Sequence, residues 1–191
     1  MLERRDRPLL AALDLARRIE AGDITPEGVV DLCAAAIAAR EDEVGAFTYL
    51  DIDGARAKAR KDADTLRALP LRGLPVALKD IYDTADMPTE YGSAAYKGHR
   101  PAADASSVTM LKRAGAVVIG KAVTTEFAHQ QTGKTRNPHN LEHTPGGSSS
   151  APSEVSRKNT YDLFIRRSAL PSSGLASIHS RIFCIDISSR V

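Results

Sequence analysis

The sequence has 191 residues, of which 42% are hydrophobic and 26% are charged, enough apolar material for one sizeable core. Its 26 basic and 24 acidic residues leave a formal net charge of +2, so the charge balance does not predict binding to nucleic acid or to an anionic membrane. No segment approaches a membrane span and the charged N-terminus does not resemble a signal peptide, so we expect a cytoplasmic protein.

Two amphipathic helices are predicted near the N-terminus. The first is indicated by apolar residues at helical spacing, Leu9, Ala12, Leu13, Ala16 and Ile19, and Gly22 is expected to end it. In the second helix, Thr25 can cap the N-terminus and Pro26 suits the first helical position. The expected buried face of this helix consists of Val29, Leu32, Cys33, Ala36 and Ile37.

Cys33 is interpreted as a core residue, because it lies on this apolar face. Cys184 is far away in sequence, and two isolated cysteines provide neither a metal-ligand spacing nor a disulfide framework. We therefore predict no metal site, no cofactor and a reducing compartment.

Strands and helices alternate in the central part of the chain. A short strand is predicted at residues 46–50, a charged helix with a solvated face at 54–68, and an apolar strand from Val76 to Leu78 that ends in Lys79. A further helix ending at Gly115 precedes a buried strand at residues 116–119. This alternation predicts an α/β fold.

Two apparent motifs are rejected. The segment GAVVIGKA, residues 115–122, is close to a phosphate-binding P-loop, but its four intervening residues are expected to form a strand whose amides are engaged in a sheet. The segment HNLEH, residues 139–143, matches a zinc-protease pattern, but Pro138 and Pro145 leave room for little more than one helical turn.

The loop GGSSS, residues 146–150, and the strand-end Lys79 are the candidate functional elements. By composition alone the loop is equally typical of a flexible linker. Glycines let the main chain approach a ligand closely, while burial disfavours the charged form of an amine. A neutral lysine beside serine hydroxyls is one recognised way to activate a serine nucleophile.

Three segments together resemble the N-terminal part of the amidase signature family of serine hydrolases: LRGLPVALKDIYDTADMPTEYGS, AGAVVIGKAVTTEFAH and TRNPHNLEHTPGGSSS. The resemblance runs from about Leu9 to Ser150. It implies an α/β fold with a mixed β-sheet core covered by helices, here incomplete. The expected domain is the N-terminal part of an amidase at residues 1–150, followed by a non-matching, serine-rich basic tail at 151–191.

The resemblance also implies roles for individual residues. Lys79 corresponds to the family's general base. Ser148 corresponds to the bridging serine, which often follows a cis peptide bond, and Ser149 to a supporting position. Gly146 and Gly147 form the loop. The implied substrate is a small-molecule amide, whose C–N bond would be cleaved through an acyl-enzyme. Some family members transfer ammonia to a charged tRNA, and a glutamyl- or aspartyl-tRNA amidotransferase-like activity stays an alternative.

The resemblance does not extend to a nucleophile. The family's G-T-D-x-G-G-S-[IV]-R segment is not found in the sequence, and Ser172, at about the expected spacing, lies in an unrelated context. We therefore expect an amidase chain truncated or frame-shifted near residue 150 and inactive as it stands, with exposed sheet edges that favour self-association. An active enzyme with a divergent nucleophile and a non-catalytic carboxamide-binding or interaction fragment are the alternatives.

Overall fold

The computed structural model describes residues 12–129, 131–138 and 140–148. Leu9, Ser149, Ser172 and the whole predicted tail at 151–191 lie outside the described residues, so the expectations about them stay predictions.

A mixed β-sheet organises the described part of the chain. Its strands are β1 (Phe47–Leu50), β2 (Pro75–Lys79) and β3 (Val117–Ala122), in the order β1-β3-β2. β3 pairs antiparallel with β1 and parallel with β2. Every residue of β2 and β3 is buried, as their apolar sequences predict.

Helices cover this sheet. They are α1 (Ala12–Ala21), α2 (Pro26–Ala38), α3 (Glu41–Val44), α4 (Ile52–Lys61), α5 (Ala63–Ala68) and α6 (Ser106–Arg113), with 3₁₀ turns at Ala94–Tyr96 and Glu126–Ala128. The predicted start of α2 is confirmed, because the Thr25 hydroxyl accepts a hydrogen bond from the Gly28 amide at 3.0 Å and Pro26 is the first helical residue. The predicted α/β architecture is therefore present.

Two details of the helix predictions are wrong. Leu13 and Leu32 are 38% and 44% exposed, whereas Leu15 and Val30 are fully buried in their place. The predicted stripes included apolar residues that lie at the margin of the buried face, and residue type alone does not separate the two positions. The charged helix at 54–68 is two helices, α4 and α5, because Asp62 leaves helical geometry with φ −103° and ψ 16°.

Two hydrophobic clusters cover the opposite faces of the sheet. One contains Cys33 of α2, Ala55 and Ala59 of α4, and Ala77 and Ile119 of the sheet. The other contains Val76, Leu78, Met87, Val108 and Val118. Side chains of a strand alternate between faces, so β2 sends Val76 and Leu78 to one side and Ala77 to the other. The same alternation sets the direction of the Lys79 side chain at the end of β2.

Candidate functional site

Lys79 lies at the carboxyl end of β2 and is only 2% exposed. Its Nζ donates a hydrogen bond to the Ser148 Oγ at 2.9 Å. The predicted burial of Lys79 and its contact with the loop serine are therefore confirmed. An amine at this distance from a hydroxyl is within the range needed for proton transfer.

Two glycines allow the loop to approach the end of the sheet. Gly146 has φ +96°, a conformation that side chains rarely adopt, and a Cβ on Gly147 would lie 2.8 Å from the Thr125 Cγ2. The Gly147–Ser148 peptide bond is cis, as the resemblance implies for this position. The loop backbone is thus seated directly against the segment that follows β3.

The backbone of Ser148 is held by two consecutive threonines. Its carbonyl oxygen accepts hydrogen bonds from the Thr124 Oγ1 at 3.2 Å, the Thr125 Oγ1 at 3.1 Å and the Thr125 amide at 3.1 Å. Both threonines are buried. Neither was predicted to have a role, although two buried hydroxyls directly after a core strand need partners and were a usable signal.

A second buried lysine lies beside the site on β3. The Lys121 Nζ is surrounded by oxygen atoms: the carbonyls of Tyr82 and Pro88 at 2.9 and 3.2 Å, the hydroxyls of Thr84 and Thr89 at 3.3 and 2.5 Å, and the Asp80 Oδ1 at 3.2 Å. The contact with Asp80 is an ion pair between two buried side chains. Lys121 was not among the site residues predicted from the sequence.

The charges of Lys121 and Asp80 compensate each other in the interior. Burial lowers the pKa of Lys121, and the negative charge of Asp80 opposes that change. Burial likewise raises the pKa of Asp80, and Lys121 opposes it. The Asp80 Oδ2 also accepts a hydrogen bond from the Glu90 amide at 3.1 Å. Loss of either partner would leave a buried charge without its counter-ion.

An exposed aromatic group borders the site. The rings of Tyr91, Tyr96, His99 and Phe127 lie with centroids 5.0 to 6.3 Å apart. The Tyr91 hydroxyl donates to the Asp83 carboxylate at 2.6 Å, and this bond raises the pKa of Tyr91 to about 12. Tyr91 and Phe127 have φ of 55° and 46°, so the backbone at both positions is strained.

The structure describes all of the first rejected motif and four of the five residues of the second. Residues 117–122 are a strand paired on both sides, which engages the amides that a phosphate loop would need. Residues 140–143 form a turn in which the His143 amide donates to the Asn140 carbonyl at 3.0 Å, while His139 lies outside the described residues. Residues 12–129, 131–138 and 140–148 contain no group of three potential metal-ligating side chains and no helix able to cross a membrane.

Comparison with known proteins identifies related chains. A family model described as Amidase matches residues 28–151. A glutamyl-tRNA(Gln) amidotransferase subunit of Roseiflexus sp. is 41% identical over 150 residues, which cover 73% of this chain and 31% of that protein. The corresponding subunit of Acidothermus cellulolyticus is 40% identical over 148 residues, covering 72% of this chain and 29% of that protein. The chain thus spans about a third of the length of these relatives.

Solved structures show the same architecture. The peptide amidase of Stenotrophomonas maltophilia has a TM-score of 0.68 and 34% identity, covering 76% of this chain and 33% of its own. A 6-aminohexanoate cyclic dimer hydrolase has a TM-score of 0.65 and 28% identity, covering 75% and 31%. The expected fold, a mixed sheet covered by helices, is therefore confirmed.

Proposed function

Because this chain belongs to the amidase signature family, we propose that it carries the base and the bridging serine of an amidase-type site that cleaves carboxamide C–N bonds. The hydrogen bond between the Lys79 Nζ and the Ser148 Oγ is the observation that carries this proposal. A buried amine in contact with a serine hydroxyl is the arrangement that serine activation by lysine requires.

In the proposed reaction Lys79 acts in its neutral form. Its Nζ accepts the proton of the Ser148 hydroxyl, while the Ser148 oxygen accepts the proton of a nucleophilic serine. The nucleophile attacks the amide carbonyl, the C–N bond breaks as the leaving nitrogen takes up a proton, and water then hydrolyses the acyl ester. Ser149 is proposed to support this hydrogen-bond network.

The nucleophile is the component that this chain does not supply in recognisable form. The 191 residues contain no segment of the type G-G-S-[IV]-R, and Ser172 lies in the sequence SALPSSGL. We propose that this chain alone turns over no amide, because removing the nucleophile abolishes the acyl-enzyme route.

The outer strands of the sheet in the described part of the chain, β1 and β2, are proposed as edges for self-association.

A transferase is the second candidate function. The relatives from Roseiflexus and Acidothermus are named as a subunit of glutamyl-tRNA(Gln) amidotransferase. Ammonia release from a carboxamide uses the same base and relay, so the Lys79–Ser148 contact is equally suited to such an enzyme. The near-neutral charge balance of this chain favours a small-molecule amide over nucleic acid as its direct ligand.

The absence of turnover is tested on the purified chain. We expect no labelling by a serine-directed fluorophosphonate and no hydrolysis of simple aryl amides. Labelling and turnover that Ser172→Ala and Lys79→Met both abolish would contradict the proposal and identify a nucleophile in the tail.

The base and relay are tested in a chimera. Residues 12–148 would replace the matching third of the Stenotrophomonas peptide amidase, which supplies the rest of that enzyme. We expect peptide amide hydrolysis that falls at least about a hundredfold with Lys79→Met or Ser148→Ala, on the scale of a lost acid–base group. Lys112→Met is the control, because Lys112 pairs with Asp86 and Asp104 outside the site. A folded, active chimera that tolerates Lys79→Met would overturn the assignment.

A further inference from the structure

We propose that Lys121 and Asp80 are positioning residues, which fix the end of β2 so that Lys79 faces Ser148. The proposal rests on the role of Lys79 proposed above, and it concerns a buried ion pair that does not itself touch the reacting groups.

The alternation of side chains along β2 links the Lys121–Asp80 ion pair to the Lys79–Ser148 hydrogen bond. Val76 and Leu78 belong to the cluster on one face of the sheet, and Ala77 to the cluster on the other. Lys79 therefore points to the side of Ala77. Asp80 follows the end of the strand and contacts Lys121, which is paired with Leu78. Asp80 is held in place by Lys121, so its ion pair prevents the rotation of the strand end that would withdraw Lys79 from Ser148.

A bulge in β3 brings Lys121 to the required face. Val76 pairs with Val118, but the next residue, Ala77, pairs with Gly120, so β3 contains one extra residue at this point. The extra residue reverses the alternation of the following side chains. Lys121 is consequently opposite Leu78 and beside Asp80, instead of on the face of Ile119.

The same ion pair also organises the loop that follows β2. The ammonium of Lys121 binds the carbonyls of Tyr82 and Pro88, and Asp80 accepts a hydrogen bond from the Glu90 amide. Just beyond, Gly92 is packed so closely that a Cβ would lie 2.8 Å from the Thr124 carbonyl oxygen. Thr124 and the next residue hold the Ser148 carbonyl, so the pair supports both partners of the Lys79–Ser148 contact.

A purely structural role is the competing explanation, because removal of one partner from a buried ion pair commonly destabilises a protein without any effect on a neighbouring site. The two roles differ in what happens to Lys79 in a protein that stays folded. A structural role changes only stability, whereas a positioning role also changes the environment of the Lys79 amine.

The test is NMR of the lysine side chains in the full chain, with the Lys79 signal assigned by Lys79→Met. Ser148→Ala gives the reference shift for a lysine that has lost the contact. We expect Lys121→Met and Asp80→Asn to move the Lys79 signal toward this reference. Thr89→Val, which removes one hydroxyl from Lys121 and preserves side-chain shape, should produce a smaller shift in the same direction.

Two controls separate positioning from general loss of stability. Lys58→Met removes a lysine that pairs with Asp62 at the end of α4, and Val108→Ala opens a cavity in the cluster on the Leu78 face. Neither should move the Lys79 signal.

If the Lys79 signal keeps its wild-type position in folded Lys121→Met or Asp80→Asn, the positioning role is overturned and the proposed function is unaffected. If both variants fail to fold, Thr89→Val decides: a shift toward the reference supports positioning, and no shift overturns it. A Ser148→Ala protein with an unchanged Lys79 signal would overturn the relay and the inference together.

Discussion

The Lys79 Nζ and the Ser148 Oγ lie 2.9 Å apart although 69 positions separate the two residues in sequence. Parallel pairing of β2 and β3 explains this proximity, because the carboxyl ends of parallel strands lie at the same edge of a sheet. Lys79 ends β2 there, and Thr124 and Thr125 follow the end of β3 and hold the Ser148 carbonyl. The sheet therefore positions both groups from one edge.

The threonine anchors give the first prediction. Thr125→Val removes one hydrogen bond to the Ser148 carbonyl, and Thr135→Val removes one to the Gly45 carbonyl, a bond that does not involve Ser148. Both should lower the free energy of unfolding by about 1 kcal/mol in urea titrations. Only Thr125→Val should increase amide exchange in residues 144–148. Equal exchange in the two variants would show that Thr125 does not anchor the loop.

Close packing of the loop gives the second prediction. Gly147→Ala would place a methyl group 2.8 Å from the Thr125 Cγ2, so the loop must move away from the strand end. We expect an NMR shift of the Lys79 signal toward that of Ser148→Ala. Gly98→Ala is the control, because open space surrounds Gly98 and only its φ of +75° opposes the substitution. A crystal structure of Gly147→Ala with the Lys79–Ser148 distance unchanged would refute this prediction.

The sequence was sufficient to predict the components of the site that follow local rules. Lys79 could be found because an apolar strand ends there, and the capped start of α2 because Thr25 and Pro26 have strong positional preferences. The family resemblance then indicated Ser148 as its partner. The inferences about Lys79 and α2 need only the residues themselves and their immediate neighbours, whereas the role of Ser148 depends on the family resemblance.

The supporting interactions could not be predicted because they depend on strand register. The segment VVIGKA indicates a strand, but not the bulge that reverses its side-chain alternation before Lys121. Without that register, Asp80 and Lys121 cannot be assigned to the same face of the sheet. Thr124 and Thr125, directly after a core strand, indicate that two hydroxyls need partners, but they do not identify the partner, which is the Ser148 carbonyl more than twenty residues later.

Gly120 in this bulge gives the third prediction. A Cβ at this position would clash with the Tyr49 carbonyl oxygen, a backbone atom that cannot move without separating β1 from β3. We expect Gly120→Ala to lower the free energy of unfolding by about 1 to 3 kcal/mol. A Cβ at Gly28 in α2 would contact only side-chain atoms, the Ile24 Cγ1 at 3.1 Å and the Thr25 Oγ1 at 3.3 Å, and the better helix propensity of alanine should offset the small shifts that Gly28→Ala requires. Equal costs in urea titrations would contradict this reasoning.

The buried thiol of Cys33 gives the fourth prediction, which concerns alkaline pH. Burial raises the pKa of Cys33 to about 12, whereas an exposed thiol has a pKa of 9.0. The folded protein therefore keeps a proton that the unfolded chain releases above about pH 9. Stabilisation by the neutral thiol is complete below the unfolded-state pKa and is lost as the pH rises toward the folded-state value.

The measurement compares the parent protein with Cys33→Val, both in a Cys184→Ser background that leaves one thiol. Between pH 7 and about pH 10.5 the free energy of unfolding of the parent should fall by about 2 kcal/mol more than that of Cys33→Val. Other groups that titrate in this range are common to both proteins and cancel in the difference. Native Cys33 should also resist alkylation at pH 8 and react only after unfolding, because its side chain is buried in the cluster between α2 and the sheet. A pH-independent difference, or rapid alkylation of the folded protein, would show that this thiol is accessible to solvent.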